Sequence, residues 1–152
     1  MTLIKAENLH KDYRVGETMV HAVRGVEFAI EPASFVCFVG PSGSGKTTLL
    51  NMIGCLDRPT AGRLTMMDVD VASLNQRAAA AFRGANIGFV FQDFNLMAVL
   101  TAYENIEYPL LMVQRWPAEK RKTRVRSFLE AVGMADQADK RPDQLSGGQK
   151  QR

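Results

Sequence analysis

The segment Gly40-Pro-Ser-Gly-Ser-Gly45-Lys46-Thr47 constrains this chain more than any other. It follows five apolar residues, Phe35-Val-Cys-Phe-Val39, and runs into Thr47-Thr-Leu-Leu-Asn-Met-Ile53, which reads as a helix. The spacing fits G-x-x-x-x-G-K-[ST], the phosphate-loop pattern. Glycines let successive N–H groups turn inward into a concave anion nest, where side chains would block phosphates. The helix that follows aims its positive end at the same place. Gly40, Ser42, Gly43, Ser44, Gly45, Lys46, Thr47 and Thr48 are therefore candidate contacts to the phosphates of a nucleoside triphosphate. In this pattern Lys46 neutralises the β and γ phosphates and the Thr47 hydroxyl ligates Mg²⁺. A surface turn rich in Gly and Ser would share the composition, but not the placement between an apolar strand and a helix.

With 152 residues and 46% apolar content, the chain is long enough to bury a core. A formal charge of +3 is too small to argue for nucleic acid as partner. Cys37 and Cys55 lack a metal-ligand spacing. Cys37, inside the apolar run, is expected to be a buried inert thiol, and nothing suggests a disulfide framework, which fits a reducing compartment. The N-terminus has no secretory h-region and no stretch reaches the roughly 18–20 apolar residues that span a bilayer, so a soluble protein is expected, reaching a membrane only through a partner.

Leu3–Leu9 and Val20–Ile30 mix apolar and polar residues as half-exposed antiparallel strands do. Phe35–Val39 and Ile87-Gly-Phe-Val-Phe91 are expected to be strands buried on both faces. Arg63–Met66 reads as a further short strand and Leu74–Arg83 as a helix. Thr101 and Glu104 have the capping-box spacing. Pro109 predicts a kink or an early helix end, and Pro117 opens the next helix. That helix places Val125, Phe128, Leu129 and Val132 on one face, with the basic run Lys120-Arg-Lys-Thr-Arg124 on the other, read as a solvated face or, more sharply, as a surface for an acidic partner. The expectation is an α/β protein: a phosphate-loop core with an antiparallel β region over residues 1–92, a helical subdomain over 93–145, and a further helix starting at 146.

Leu145-Ser-Gly-Gly-Gln149 is the second informative element. Ser146 is a good N-cap with two glycines behind it, which makes another exposed anion site at a helix start. Alone it would be weak evidence. In this order with the phosphate loop, it makes the sequence resemble the nucleotide-binding domain of ATP-binding-cassette (ABC) transporters over essentially the whole chain. Gly54-Cys-Leu-Asp-Arg-Pro-Thr-Ala-Gly62, Ile87-Gly-Phe-Val-Phe-Gln92 and Tyr103-Glu-Asn-Ile106 resemble the branch with lipoprotein-releasing and macrolide-export ATPases.

The resemblance implies further roles. Tyr13 stands where the family places a ring that stacks on adenine, although an ordinary strand-end tyrosine would look the same. Gln92 matches the loop glutamine that reaches Mg²⁺ and the γ-phosphate side. Ser146, Gly147, Gly148 and Gln149 match the signature that contacts ATP held by a second subunit, so a dimer is implied. ATP and Mg²⁺ are the implied cofactors, and an integral-membrane permease the implied partner, placing the protein on the inner face of a membrane. His10 and His21 match no functional position. Ala33-Ser34 replaces a usual Gly-Glu pair, and Asp68 stands where a turn glycine is common; Asp tolerates turn geometry.

The sequence stops at Arg152, about one turn into the signature helix. The resemblance places the Mg²⁺-positioning aspartate, the water-polarising glutamate and a γ-phosphate-sensing histidine further along. Asp68, Asp70 and Asp93 end no comparable apolar strand. The expectation is therefore an incomplete ABC-type ATPase, a partial product that holds phosphates without its catalytic base. Its rivals are a non-hydrolysing decoy subunit, a soluble ABC protein acting on DNA or ribosomes, and a phosphate-loop kinase, which would have no use for Leu145–Gln149.

Overall fold

The computed structural model describes residues 2–152. They form two compact units, residues 2–89 and 90–152.

The first unit is built on a four-stranded antiparallel sheet in the order β2-β1-β3-β4: β1 Ile4–Val15, β2 Thr18–Ile30, β3 Ala61–Met66 and β4 Val69–Asp70. β1 and β2 form a long hairpin that pairs Ile4 with Ile30 and Val15 with Thr18, turning at Gly16, whose φ is +61°. The inward set on β1 changes phase along the strand. Ile4 and Ala6 are buried, and then Leu9 is. The register slips between Ala6 and Leu9, where Asn8 takes a φ of +46°. A one-residue slip exchanges the faces of a strand, so this bulge keeps an apolar residue on the core side. Beside it Gly62 of β3 comes so close that a Cβ would lie 2.0 Å from the Asn8 carbonyl oxygen. Met67 and Asp68 form the β3–β4 turn with φ of +47° and +62°, a conformation that Asp accepts.

Helix α1 (Lys46–Ile53) covers one face of this sheet with Leu49 and Met52, which join Leu9, Val23, Leu64 and Met66 in one core. Helix α2 (Gln76–Asn86) is capped by Asn75, whose Oδ1 accepts from the Ala78 N–H at 2.9 Å. Phe82 packs against the same core from this helix.

The second unit pairs helices α3 (Ala102–Met112) and α4 (Ala118–Ala131), followed by two 3₁₀ turns and the short α5 (Gly147–Gln151). Its core is Leu110, Val125, Leu129, Met134 and Leu145. The start of α3 is fully accounted for. The free N–H groups of Ala102 and Tyr103 donate to the carbonyls of Lys140 and Ala138 at 2.8 and 2.9 Å, and Thr101 with Glu104 closes the expected capping box. No helix among the described residues is long and apolar enough to cross a membrane.

Several expectations are corrected. Phe35–Val39 and Ile87–Phe91 are not buried strands: neither joins the sheet, and Phe35, Val39 and Val90 are 97%, 90% and 88% exposed. A strand covered on both faces needs neighbours to take its N–H and C=O groups and layers above and below it. An apolar run supplies neither by itself. Cys37 is accordingly exposed. Of the two outcomes expected at Pro109, a kink or an early helix end, the early end does not occur, since α3 continues to Met112. On α4 only Val125 and Leu129 are buried, with Phe128 and Val132 40% and 37% exposed. In the basic run Lys120, Lys122, Thr123 and Arg124 are exposed, as on a solvated face, and Arg121 is half-buried. Arg121 reaches across to Glu107 on α3 at 2.9 Å and to the Trp116 carbonyl at 2.7 Å, while Lys120 and Arg124 lie over the rings of Trp116 and Phe128.

Candidate functional site

The loop between Val39 and α1 takes its shape from two left-handed glycines, Gly43 at φ +79° and Gly45 at φ +85°. Gly45 is also the N-cap of α1, and no side chain caps the helix there. The first helical bond closes from the Leu49 N–H to the Gly45 carbonyl at 2.9 Å, so the N–H groups of the preceding turn precede the ladder. Those donors and the helix dipole converge on the mouth of the loop, which suits an anion. A β-carbon on Gly45 would sit 2.3 Å from the Ala22 carbonyl oxygen, and one on Gly40 2.8 Å from Ser44 Oγ. The loop is thus folded tightly on itself and pressed against β2.

Lys46 lies along the loop. Its Nζ donates to the Gly40 and Pro41 carbonyls at 2.8 and 2.7 Å and to Ser44 Oγ at 3.3 Å. The ammonium, at the end of a flexible stem, is held where an anion entering the nest would meet it. Pro41 through Ser44 and Thr47 are exposed, and Thr48 is half-buried behind them. The loop borders a cleft of about 630 Å³ whose other wall is β2 and the Cys37–Val39 segment. His21 and Arg24 also line it. Neither carries a signal in the sequence: His21 enters the cleft because β2 crosses beside the loop. Its Nδ1 lies 2.8 Å from Asp12 Oδ1.

Tyr13 is placed on β1 opposite Val20. Its ring is half-buried, its hydroxyl donates to Asp57 Oδ2 at 2.5 Å, and it also touches the Thr48 side chain on α1. Burial first, and then the Asp57 carboxylate, push the phenol above its ordinary value. Burial works against ionisation of Asp57, but hydrogen bonds from Lys11 and Tyr13 outweigh it and hold the carboxyl below its usual range. β1 and α1 therefore bring Tyr13, Thr48 and the phosphate loop together in the first unit.

Gln92 and the Ser146–Gln149 element belong to the second unit. Gln92 is exposed in a turn. Ser146 caps α5 as expected: its Oγ accepts from the Gln149 N–H at 3.2 Å, and the Gln149 side chain accepts from the Ser146 N–H at 2.8 Å. A β-carbon at Gly147 or Gly148 would meet nothing within 4 Å, so packing within the chain does not demand glycine at either position.

Comparison with known proteins bears on these features. The family described as "ABC transporter" matches residues 23–152. An uncharacterised ABC transporter ATP-binding protein of Thermotoga maritima is 48% identical over 142 residues, covering 93% of this chain and 60% of that protein. A macrolide export ATP-binding/permease protein, MacB, of Syntrophobacter fumaroxidans is 42% identical over 153 residues, covering 100% of this chain and 21% of its own length. Among solved structures, the dimeric post-hydrolysis state of the ATP-binding cassette MJ0796, bound to ADP and Pi, superposes with a TM-score of 0.87 at 41% identity. That match covers 97% of this chain and 65% of that one. MJ0796 comes from Methanocaldococcus jannaschii. The chain thus spans less than two thirds of the length of these relatives. The match over residues 23–152 and the α/β architecture shared with these cassettes establish that the chain belongs to the ABC transporter family, among its ATP-binding proteins and near the macrolide-export branch.

Proposed function

We propose that this chain is the ATP-binding part of an ABC transporter, holding MgATP at the loop Gly40–Thr47. The observation that carries this reading is the loop itself: two left-handed glycines, an uncapped helix start and the Lys46 ammonium converge on one exposed concavity. The residues suit the ligand. Gly40, Ser42, Gly43, Ser44, Gly45 and Thr48 frame the phosphates, Lys46 neutralises them, and Tyr13 offers its ring to adenine. The Thr47 hydroxyl would hold Mg²⁺, which offsets phosphate charge when bound, and Gln92 of the second unit is a candidate Mg²⁺ ligand on the family resemblance alone.

The second unit supplies the partner face. The open space around Gly147 and Gly148 supports Ser146–Gln149 as a surface on which ATP held by a second subunit rests. The solved relative described as dimeric favours that arrangement, and the MacB relative, named as an ATP-binding/permease protein, favours a membrane permease as the driven partner. The chain would then work on the inner face of a membrane. Nucleic acid plays no part in this reading.

Gly40–Thr47 supplies the phosphate cradle, and no carboxylate among residues 1–152 is assigned to activating water. Phosphate release from purified residues 1–152, with Lys46→Ala as control, tests this assignment. Nucleotide retention without Lys46-dependent turnover is the expected result. Robust turnover that disappears in Lys46→Ala would place a catalytic base within these residues and contradict the proposal.

A further inference from the structure

The tip of Tyr13 is held by more than packing. Its hydroxyl donates to Asp57 Oδ2 at 2.5 Å, and the other carboxylate oxygen, Oδ1, accepts from Lys11 Nζ at 2.5 Å and from the Arg58 N–H at 2.7 Å. Lys11 Nζ also donates to the Arg58 carbonyl at 2.8 Å and stands 4.9 Å from the centre of the Tyr13 ring. These side chains are partly shielded: Lys11 is 13% and Asp57 26% exposed. Asp57 itself is fixed by the chain, since its N–H donates to the Asn51 carbonyl at 3.2 Å within the turn that closes α1. Thr48, on the first turn of that helix, touches the same phenol oxygen. One carboxylate, 44 residues away in sequence, thus ties the end of β1 to the helix that carries the phosphate loop.

We propose that Asp57 is a positioning residue for the nucleotide base: by gripping the Tyr13 hydroxyl it sets the plane of the ring before nucleotide arrives. The proposal rests on the reading of Tyr13 as the adenine platform. A tyrosine held only at its Cβ turns about two side-chain torsions, and stacking then has to order both. A grip at the far end of the ring fixes those torsions when the chain folds. Because Asp57 and Thr48 both sit on or beside α1, the ring is held relative to the phosphate loop, so base and triphosphate meet a single preformed surface. Asp57 touches no nucleotide in this account and acts through Tyr13.

The test compares ATP with inorganic tripolyphosphate, which has no base. Affinities of both are measured for residues 1–152 and for Tyr13→Ala, Tyr13→Phe, Asp57→Asn and the Tyr13→Phe/Asp57→Asn double variant. Tyr13→Phe keeps the ring and removes the grip. It and Asp57→Asn should each weaken ATP by about threefold to tenfold, the range of one net hydrogen bond. Tripolyphosphate affinity should stay as it was, and the double variant should be no weaker than the worse single one. If Tyr13→Ala loses ATP selectively while Tyr13→Phe and Asp57→Asn bind like the parent, the platform stands and the positioning role of Asp57 is wrong. If Tyr13→Ala weakens both ligands equally or neither, the platform reading itself fails. Equal losses for both ligands in Asp57→Asn, with Tyr13→Phe unaffected, would make Asp57 a support of the fold alone. Should Asp57→Asn not fold, Tyr13→Phe decides: parent-like ATP affinity overturns the proposal.

Discussion

Gly45 lies against Ala22 so closely that a β-carbon would come within 2.3 Å of the Ala22 carbonyl oxygen. The phosphate loop is therefore not a free-standing turn, since its last glycine is seated on β2. The same residue has a φ of +85°, which side-chain-bearing residues rarely adopt.

Gly45→Ala should consequently damage both binding and stability. The overlap with backbone leaves no flexible atom to move aside, and forced overpacking costs roughly 1–3 kcal/mol. The left-handed conformation adds about 1–2 kcal/mol for an L residue. Urea unfolding should show a loss in this range, and nucleotide affinity should fall with it. A variant as stable as the parent would mean that the loop does not press on β2.

The cap of α3 gives a pH-dependent contribution. The Thr101 N–H and hydroxyl both donate to Glu104 Oε2, at 2.8 and 3.0 Å, and the backbone bond first, with the hydroxyl second, holds the Glu104 carboxyl below its ordinary value of 4.5. A carboxylate with a depressed folded pKa stabilises above its unfolded value and loses that contribution as pH falls through the folded one. Glu104→Gln retains a neutral acceptor, so melting temperatures followed from about pH 6 to about pH 3 should fall less steeply than in the parent. Parallel profiles would show that the Glu104 charge is idle. Thr101→Ala should cost about 1 kcal/mol at neutral pH.

Ala33 should improve the protein when replaced. Its φ is +59°, the position at which the family's usual glycine would be unstrained. Relief of the left-handed conformation outweighs the added freedom of the unfolded chain, so Ala33→Gly should stabilise by about 0.5–1 kcal/mol. Chemical denaturation reads this directly, and a destabilised variant would contradict the backbone assignment at this turn.

Local chemistry was legible in the sequence, and covered surfaces were not. The antiparallel strands β1 and β2, the helix after the phosphate loop, and the caps at Thr101 and Ser146 each depend on a few neighbouring residues, and each forms, the two strands with wider bounds than read. Phe35–Val39 shows the other case. Its apolar run records what the segment would do if flanked by strands, a condition set by distant residues. The exposure of Cys37 follows from the same cause. The pairing of Tyr13 with Asp57 joins two elements across the fold, and no spacing rule announces it. His21 reached the cleft in the same way, through the crossing of β2 beside the loop. On α4, periodicity found the buried pair Val125 and Leu129 but overextended the face, because Phe128 lies beneath Arg124 instead of inside the core.

The central claim is that Gly40–Thr47 holds the triphosphate of ATP, and calorimetric titration of MgATP into residues 1–152 and into Lys46→Ala tests it most directly. Lys46 is the flexible cation laid along the loop, and a charge-assisted hydrogen bond contributes roughly 1.5–3 kcal/mol. The account predicts saturable binding by the parent and about a tenfold or greater loss in Lys46→Ala. Equal affinity in the two proteins would contradict it.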